Sequence, residues 1–145
     1  MKNRSLTFED VQSLKMFLSS DEVQSDAKSS SSILIQILSS QDKMNQLEGI
    51  IAEIKNDLPM AVIVGITTVG EIYQGQLQLG TILLSISFFK TTTLSAIHKS
   101  YSAGNEFADG QELANSINQI SDVAGVLLYG TPLTLNMSAI FHGMS

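Results

Sequence analysis

Apolar residues in this chain arrive in two rhythms, as runs of strand length and as stripes spaced three and four apart. Ile33–Leu38 is broken only by Gln36, and a second run opens at Ala61 and leads through Gly65 to Thr67. Continuous runs of this kind fit strands covered on both faces. Thr81–Phe89 alternates instead, with Ile82, Leu84, Ile86 and Phe88 on one face and Ser85 and Ser87 on the other. Thr92–Lys99 predicts a further strand, turned back on 81–89 at Lys90-Thr91 as an antiparallel hairpin. Val123–Tyr129 (VAGVLLY) predicts the last strand, running into Gly130-Thr131-Pro132.

The stripes predict the helices. Thr7 reads as an N-cap ahead of Phe8, Val11, Leu14 and Leu18, with Glu9 and Asp10 in the first turn. Ser25–Ser32 is polar and reads as a connector. Met44, Leu47, Ile51, Ile54 and Leu58 form a stripe flanked by Ile50 and Ala52, which predicts a helix over 42–57 with Lys43, Gln46, Glu53 and Lys55 facing water. Pro59 stops it. Strand, helix and strand over 33–67 therefore make one βαβ unit, with parallel strands and a right-handed crossover. Glu71–Gly80 and Ser100–Ala108 read as loops. Asp109 with Glu112 predicts a capped helix carrying Leu113, Ile117 and Ile120, and a last helical turn or two follows over 136–141. The order is that of an α/β protein: a mixed sheet of about five strands (33–38, 61–67, 81–89, 92–99, 123–129) with helices packed against it.

Composition narrows the function. At 145 residues, 43% hydrophobic and 15% charged, the chain has the makings of one folded domain. Its net charge of −6 disfavours binding to nucleic-acid phosphates or anionic lipid. With no cysteine, disulfides, thiolate metal sites and cysteine nucleophiles are excluded. MKNRSLTFEDVQSL lacks the apolar core of a signal peptide, and no run approaches membrane-spanning length. The sequons at Asn3 and Asn136 then read as chance matches.

Candidate chemistry gathers after the 61–67 strand, where the apolar run gives way to Thr67, Thr68, Gly70 and Glu71. Hydroxyls and backbone N–H groups beside a glycine suit a ligand carboxylate, and Glu71 suits an amino group. The same residues also make ordinary strand-end chemistry, with Gly70 turning the chain and Glu71 in water. Tyr129, Thr131 and Asn136 follow the other continuous run and would share a rim with Thr67 and Thr68 if the two strands are parallel neighbours. Asn136 reads equally as a helix cap. Tyr101 and Phe107 could lid such a rim or anchor their loop. His98 and His142 stand apart without metal-ligand spacing, and His98 reads as a surface residue. No Gly-x-Ser-x-Gly elbow or Walker ending is present, so no catalytic residue, metal or cofactor is assigned.

Leu58-Pro59-Met60-Ala61-Val62-Ile63-Val64-Gly65-Ile66-Thr67-Thr68-Val69-Gly70-Glu71-Ile72 resembles the signature run of the FIST N-terminal domain. The Ser/Thr-rich strand at 81–89 and the features at Gly110–Tyr129 and Gly130–Asn136 extend the likeness over 33–145. The resemblance implies a non-catalytic sensory domain of a bacterial, cytoplasmic signal-transduction protein, binding a small amino-acid-like molecule. It also implies a companion C-terminal domain and an output module such as a diguanylate cyclase or histidine kinase. Phe141–Ser145 looks like the start of a continuation that members carry, so 33–145 is expected to be a sub-domain preceded by a helix and connector at 1–32. On this expectation the ligand-binding set is Thr67, Thr68, Gly70, Glu71, Tyr129 and Thr131. A second reading makes the chain an interaction or homodimerisation module without a small ligand, using sheet edges or the Met16-Phe17-Leu18 face. A third, a hydrolase or transferase using Thr67 or Thr68, has no partnered base.

Overall fold

In the computed structural model the chain starts with a strand, β1 (Lys2–Thr7), followed by helices α1 (Val11–Leu18) and α2 (Asp21–Lys28). Strand β2 (Ser32–Ser40) leads through a 3-10 turn at Gln41–Gln46 into α3 (Leu47–Asp57) and β3 (Val62–Thr68). A hairpin of β4 (Glu71–Tyr73) and β5 (Gln76–Gln78) precedes β6 (Ile82–Phe89), and α4 (Glu106–Asn118) and α5 (Met137–Met144) complete the order. The structure describes residues 1–100, 103–130 and 135–145. It divides into two units, Met1–Ser95 and Ala96–Ser145.

The first unit is a mixed sheet in the order β1-β6-β2-β3. β2 and β3 run parallel around α3, as the βαβ pattern requires, while β6 lies antiparallel to both β1 and β2. Period-two alternation sends Ile33, Ile35 and Ile37 of β2 to the same face as Ile82, Leu84, Ile86 and Phe88 of β6 and Ile63 of β3. Leu14 and Leu18 of α1, Val23 of α2, and Ile50 and Ile54 of α3 with Leu58 at its C-cap close over that face. Each such aliphatic side chain contributes roughly 1.5–3 kcal/mol relative to exposure in water.

Several sequence expectations are corrected. The stretch from Lys2 to Thr7 is a strand, with Thr7 opposite Leu83, so it cannot cap a helix. Asp10 caps α1 instead, accepting from the Ser13 N–H at 2.7 Å. The serine-rich stretch is largely α2 and its ending, with Ser29 and Ser30 hydroxyls on the Asp26 carbonyl. On α3 the inward stripe is Leu47, Ile50 and Ile54, continued by Leu58 at the C-cap, leaving Met44 and Ile51 exposed. Met44 falls in the 3-10 turn, where three residues per turn break the phase of the following α-helix.

Glu71–Gly80 is a hairpin, not a loop: Gln74 (φ 50°) and Gly75 (φ 76°) both take the positive φ that a tight two-residue turn requires. The predicted strand at 92–99 does not form. β1 and β2 already occupy both edges of β6, and the Thr92 carbonyl is bonded to the hydroxyls of Ser31 and Ser32.

In the second unit α4 and α5 meet at two glycines. A Cβ on Gly143 would lie 2.1 Å from the Phe107 carbonyl oxygen, and one on Gly110 would lie 2.3 Å from that of Ile140. Asn136 caps α5, accepting from Ala139 N–H at 3.2 Å. Asp109 lies inside α4 rather than capping it, and Lys99 bridges Asp109 and Glu112. The predicted strand at 123–129 is absent, and these residues carry no regular structure. Among the described residues this unit has no strand to pair with, so apolar character alone cannot satisfy the segment's N–H and C=O groups.

β1 puts charge on the core-facing side of the sheet edge, and α2 answers it. Asp26, only 3% exposed, accepts from Lys2 Nζ at 2.5 Å and from Arg4 Nε at 2.8 Å, while Arg4 also reaches Glu22. The Lys2 hydrogen bond, with Arg4 adding to it against the opposing effect of burial, holds the Asp26 carboxyl below its ordinary value. A lowered folded-state pKa adds stability above the unfolded value of about 3.9, lost as pH falls through the folded value. Asp26→Asn should therefore melt several degrees below the parent at pH 7, with the gap narrowing below about pH 4. Thermal melts followed by circular dichroism over about pH 2–8, a range that spans both carboxyl states, check this.

Candidate functional site

The carboxyl ends of the parallel strands form a polar rim because the sequence turns from aliphatic to hydroxyl residues there. Register places Ser39 and Ser40 of β2 opposite Thr67 and Thr68 of β3, with Ile82, at the start of β6, on the other side of Ser39. Strand alternation sends Thr67 and Thr68 to opposite faces. Thr67 is exposed; Thr68 is half-buried and donates its hydroxyl to Glu71 Oε1. Thr81 Oγ1 donates to Glu71 Oε2 at 2.6 Å. Glu71 is only 4% exposed, so its carboxylate is a buried hub joining the end of β3, the hairpin and the start of β6.

Gly70 allows that hub to close. A Cβ there would lie 2.8 Å from Leu79 Cδ2 and 3.1 Å from the Gln78 carbonyl oxygen. The structure thus brings Thr68, Gly70 and Glu71 together and directs Thr67 elsewhere. Tyr129 is half-buried in the second unit, and Thr131 lies outside the described residues, as do Tyr101 and Pro132. His98 and Phe107 are exposed. Among the described residues no group of three His, Asp or Glu could hold a metal.

Beside the hub lies a cavity of about 130 Å³ lined by Phe8, Glu9, Lys43, Gln46, Gly80, Thr81 and Ile82. Three elements supply it: the β1–α1 junction, the 3-10 turn after β2, and the entry to β6. A larger depression of about 370 Å³ follows α2 and its ending alone. The rim cavity has the better chemistry, because it combines an apolar wall, a hydroxyl, an amide and both signs of charge. Asp42, next to Lys43, is held below the ordinary carboxylate range, first by the Ser40 hydroxyl, then by its own backbone N–H, and lastly by the Lys43 charge.

Sequence reading missed this cavity. Glu9 had the look of a first-turn helix acid, and Lys43 and Gln46 of a water-facing helix surface. The clue was present in Gly80-Thr81, a glycine and hydroxyl at a strand entry, but nothing in the spacing joins them to residues 9 or 43.

A profile of the FIST N domain matches residues 33–145. Comparison with curated proteins and with solved structures gives no match. The matched span contains Lys43, Gln46, Glu71 and Thr81, whereas Phe8 and Glu9 precede it.

Removing the hub leaves two hydroxyls without their acceptor, at a cost of about 1–3 kcal/mol. Glu71→Ala should lower stability by that order and release the β4–β5 amides to faster hydrogen exchange, while α3 amides keep most of their protection. Hydrogen-exchange mass spectrometry resolves the two segments. Unchanged exchange over 71–78 would show that the carboxylate does not hold the hairpin.

Proposed function

Since this chain belongs to the FIST N domain family, a family of signal-transduction sensory domains, we propose that it senses a small amino-acid-like molecule and regulates an output module elsewhere in a longer protein. The proposal extends to a bacterial, cytoplasmic setting, with a companion C-terminal domain and a diguanylate cyclase or histidine kinase as the type of output, and to a non-catalytic role for this segment. One observation carries it: a cavity with both signs of charge, at the carboxyl rim of a parallel strand pair, touching the residue that ties β6 to the hairpin. Crevices at such rims are where open α/β sheets take their ligands. Among the described residues, no helix is long and apolar enough to cross a membrane.

A sensor must bind its ligand better in one conformation than in another. The rim offers a physical route, because a solute held against Thr81 bears on the hydroxyl that bonds Glu71, and Glu71 fixes the hairpin. A ligand at about 100 times its dissociation constant stabilises the state that binds it by about 2.7 kcal/mol. A thermal-shift screen of free amino acids and short peptides should therefore raise the melting temperature by several degrees for a selective few. A flat screen, confirmed by calorimetry, would remove the sensing reading.

A second reading, an interaction module or homodimer, has its own observation. Val69 and Ile72 are 97% and 77% exposed, and Leu77 and Leu79 of the same hairpin region are also exposed. The adjoining β3 has no second partner among the described residues, and no charged residue occurs between Leu58 and Gly70. Exposed aliphatic patches and uncharged edges are sites of association. On this reading sedimentation equilibrium gives a dimer that amino acids do not alter and that Ile72→Lys dissociates. A monomer at all concentrations removes it.

A further inference from the structure

We infer that the rim cavity binds a small zwitterion, with Lys43 holding its carboxylate and Glu9 its ammonium group. The inference rests on the sensing reading and assigns the ligand's two charges to named side chains. Glu9 and Lys43 take no part in any ion pair among the described residues, although Lys43 is half-buried. Two opposite charges line one cavity, neither in an ion pair and with only Asp42 beside Lys43, and they suit a solute carrying both signs. A simple carboxylate leaves Glu9 unanswered, and a simple amine leaves Lys43 so.

The remaining lining agrees. Thr81 has donated its only hydroxyl proton to Glu71, so toward the cavity it offers lone pairs, which suit an ammonium group. Gln46 brings an amide that can both donate and accept. Phe8 and Ile82 supply an apolar wall for a short side chain. Gly80 has φ +66° and no atom within 4 Å of where a Cβ would stand, so it adds backbone without filling space. The cavity is small, about 130 Å³, and partly open to solvent, so it favours a zwitterion with a short side chain.

The backbone at Glu9 is held in advance, although its side chain is exposed. The Phe8 N–H donates to the Ile82 carbonyl at 2.8 Å, and Asp10 caps α1, so the backbone on both sides of Glu9 is tied. Ordering costs on binding fall to the extent that the backbone of a contact residue is already held. The segment before the matched family span thereby supplies half of the charge recognition, and occupancy links α1, the 3-10 turn and the entry to β6.

Isothermal titration of the chain with glycine, alanine, acetate, methylammonium and phenylalanine tests the inference, with Glu9→Gln and Lys43→Met as variants. Both side chains are accessible, and matching parent and variant melts without ligand confirm folding. Glycine or alanine should bind, phenylalanine should bind more weakly and the single-charge compounds should not bind at equal concentration, and each variant should lose at least about tenfold in affinity, as expected for a charge-assisted contact. The exchanged pair, Glu9→Lys with Lys43→Glu, should recover part of the loss, which a merely structural role would not produce. Amino acids that bind parent and variants equally overturn this site while leaving the sensing reading intact. No binding of any amino acid to the parent overturns both.

Discussion

Strand β6 is hydrogen-bonded along both edges, to β1 on one side and β2 on the other, and most of the first unit's architecture follows from that arrangement. A strand in this position has no free edge, and its alternate residues Ile82, Leu84, Ile86 and Phe88 share the face that the helices cover, so all four are buried together. It leaves no edge for the residues that come next, so the chain departs from the sheet after Phe89. It also draws the N-terminus across the molecule. Thr7 is held opposite Leu83, and the next two residues are thereby carried to the rim where β2 and β3 end.

The parts of this fold that were legible in the sequence are those whose partners lie close along the chain. β2, α3 and β3 follow one another, their apolar periods are unambiguous, and Pro59 marks the boundary. β1 was hidden for the opposite reason. Its core-facing positions include Lys2 and Arg4, which no hydrophobic pattern selects, and the carboxylate that makes them tolerable is Asp26, 24 and 22 residues away. The short hairpin was hidden because its positive-φ turn is Gln74-Gly75, a pairing whose first residue does not advertise the conformation. Val123–Tyr129 misled in the other direction: an apolar run reports what would gain from burial, while a strand also needs a neighbour for its backbone.

The rim shows the same division. Thr68, Gly70 and Glu71 stood out together because they interrupt an aliphatic run within four residues, and they do meet in space. Their arrangement was not legible, since the second hydroxyl on Glu71 comes from Thr81, ten residues later, and alternation turns Thr67 to the other face. A carboxylate that looked open to water is buried and accepts from two hydroxyls. Two charges that line this cavity and join no ion pair among the described residues are Glu9 and Lys43, separated by 34 positions and brought together by the passage of β1 along β6.

That geography bears on how a bound solute could be felt beyond its cavity. Thr81 belongs to both neighbourhoods, lining the cavity and donating to Glu71, so any shift of its hydroxyl alters a buried acceptor with few alternative donors. Loss of that bond is costly inside the protein, whereas the hairpin it secures projects Ile72 and Leu77 into water and gives up little apolar burial when it moves. The aliphatic core beneath resists the same displacement, because side chains from every helix of the unit interlock there. A perturbation at the rim therefore meets a stiff sheet on one side and a lightly held hairpin on the other, and the hairpin is the element that yields.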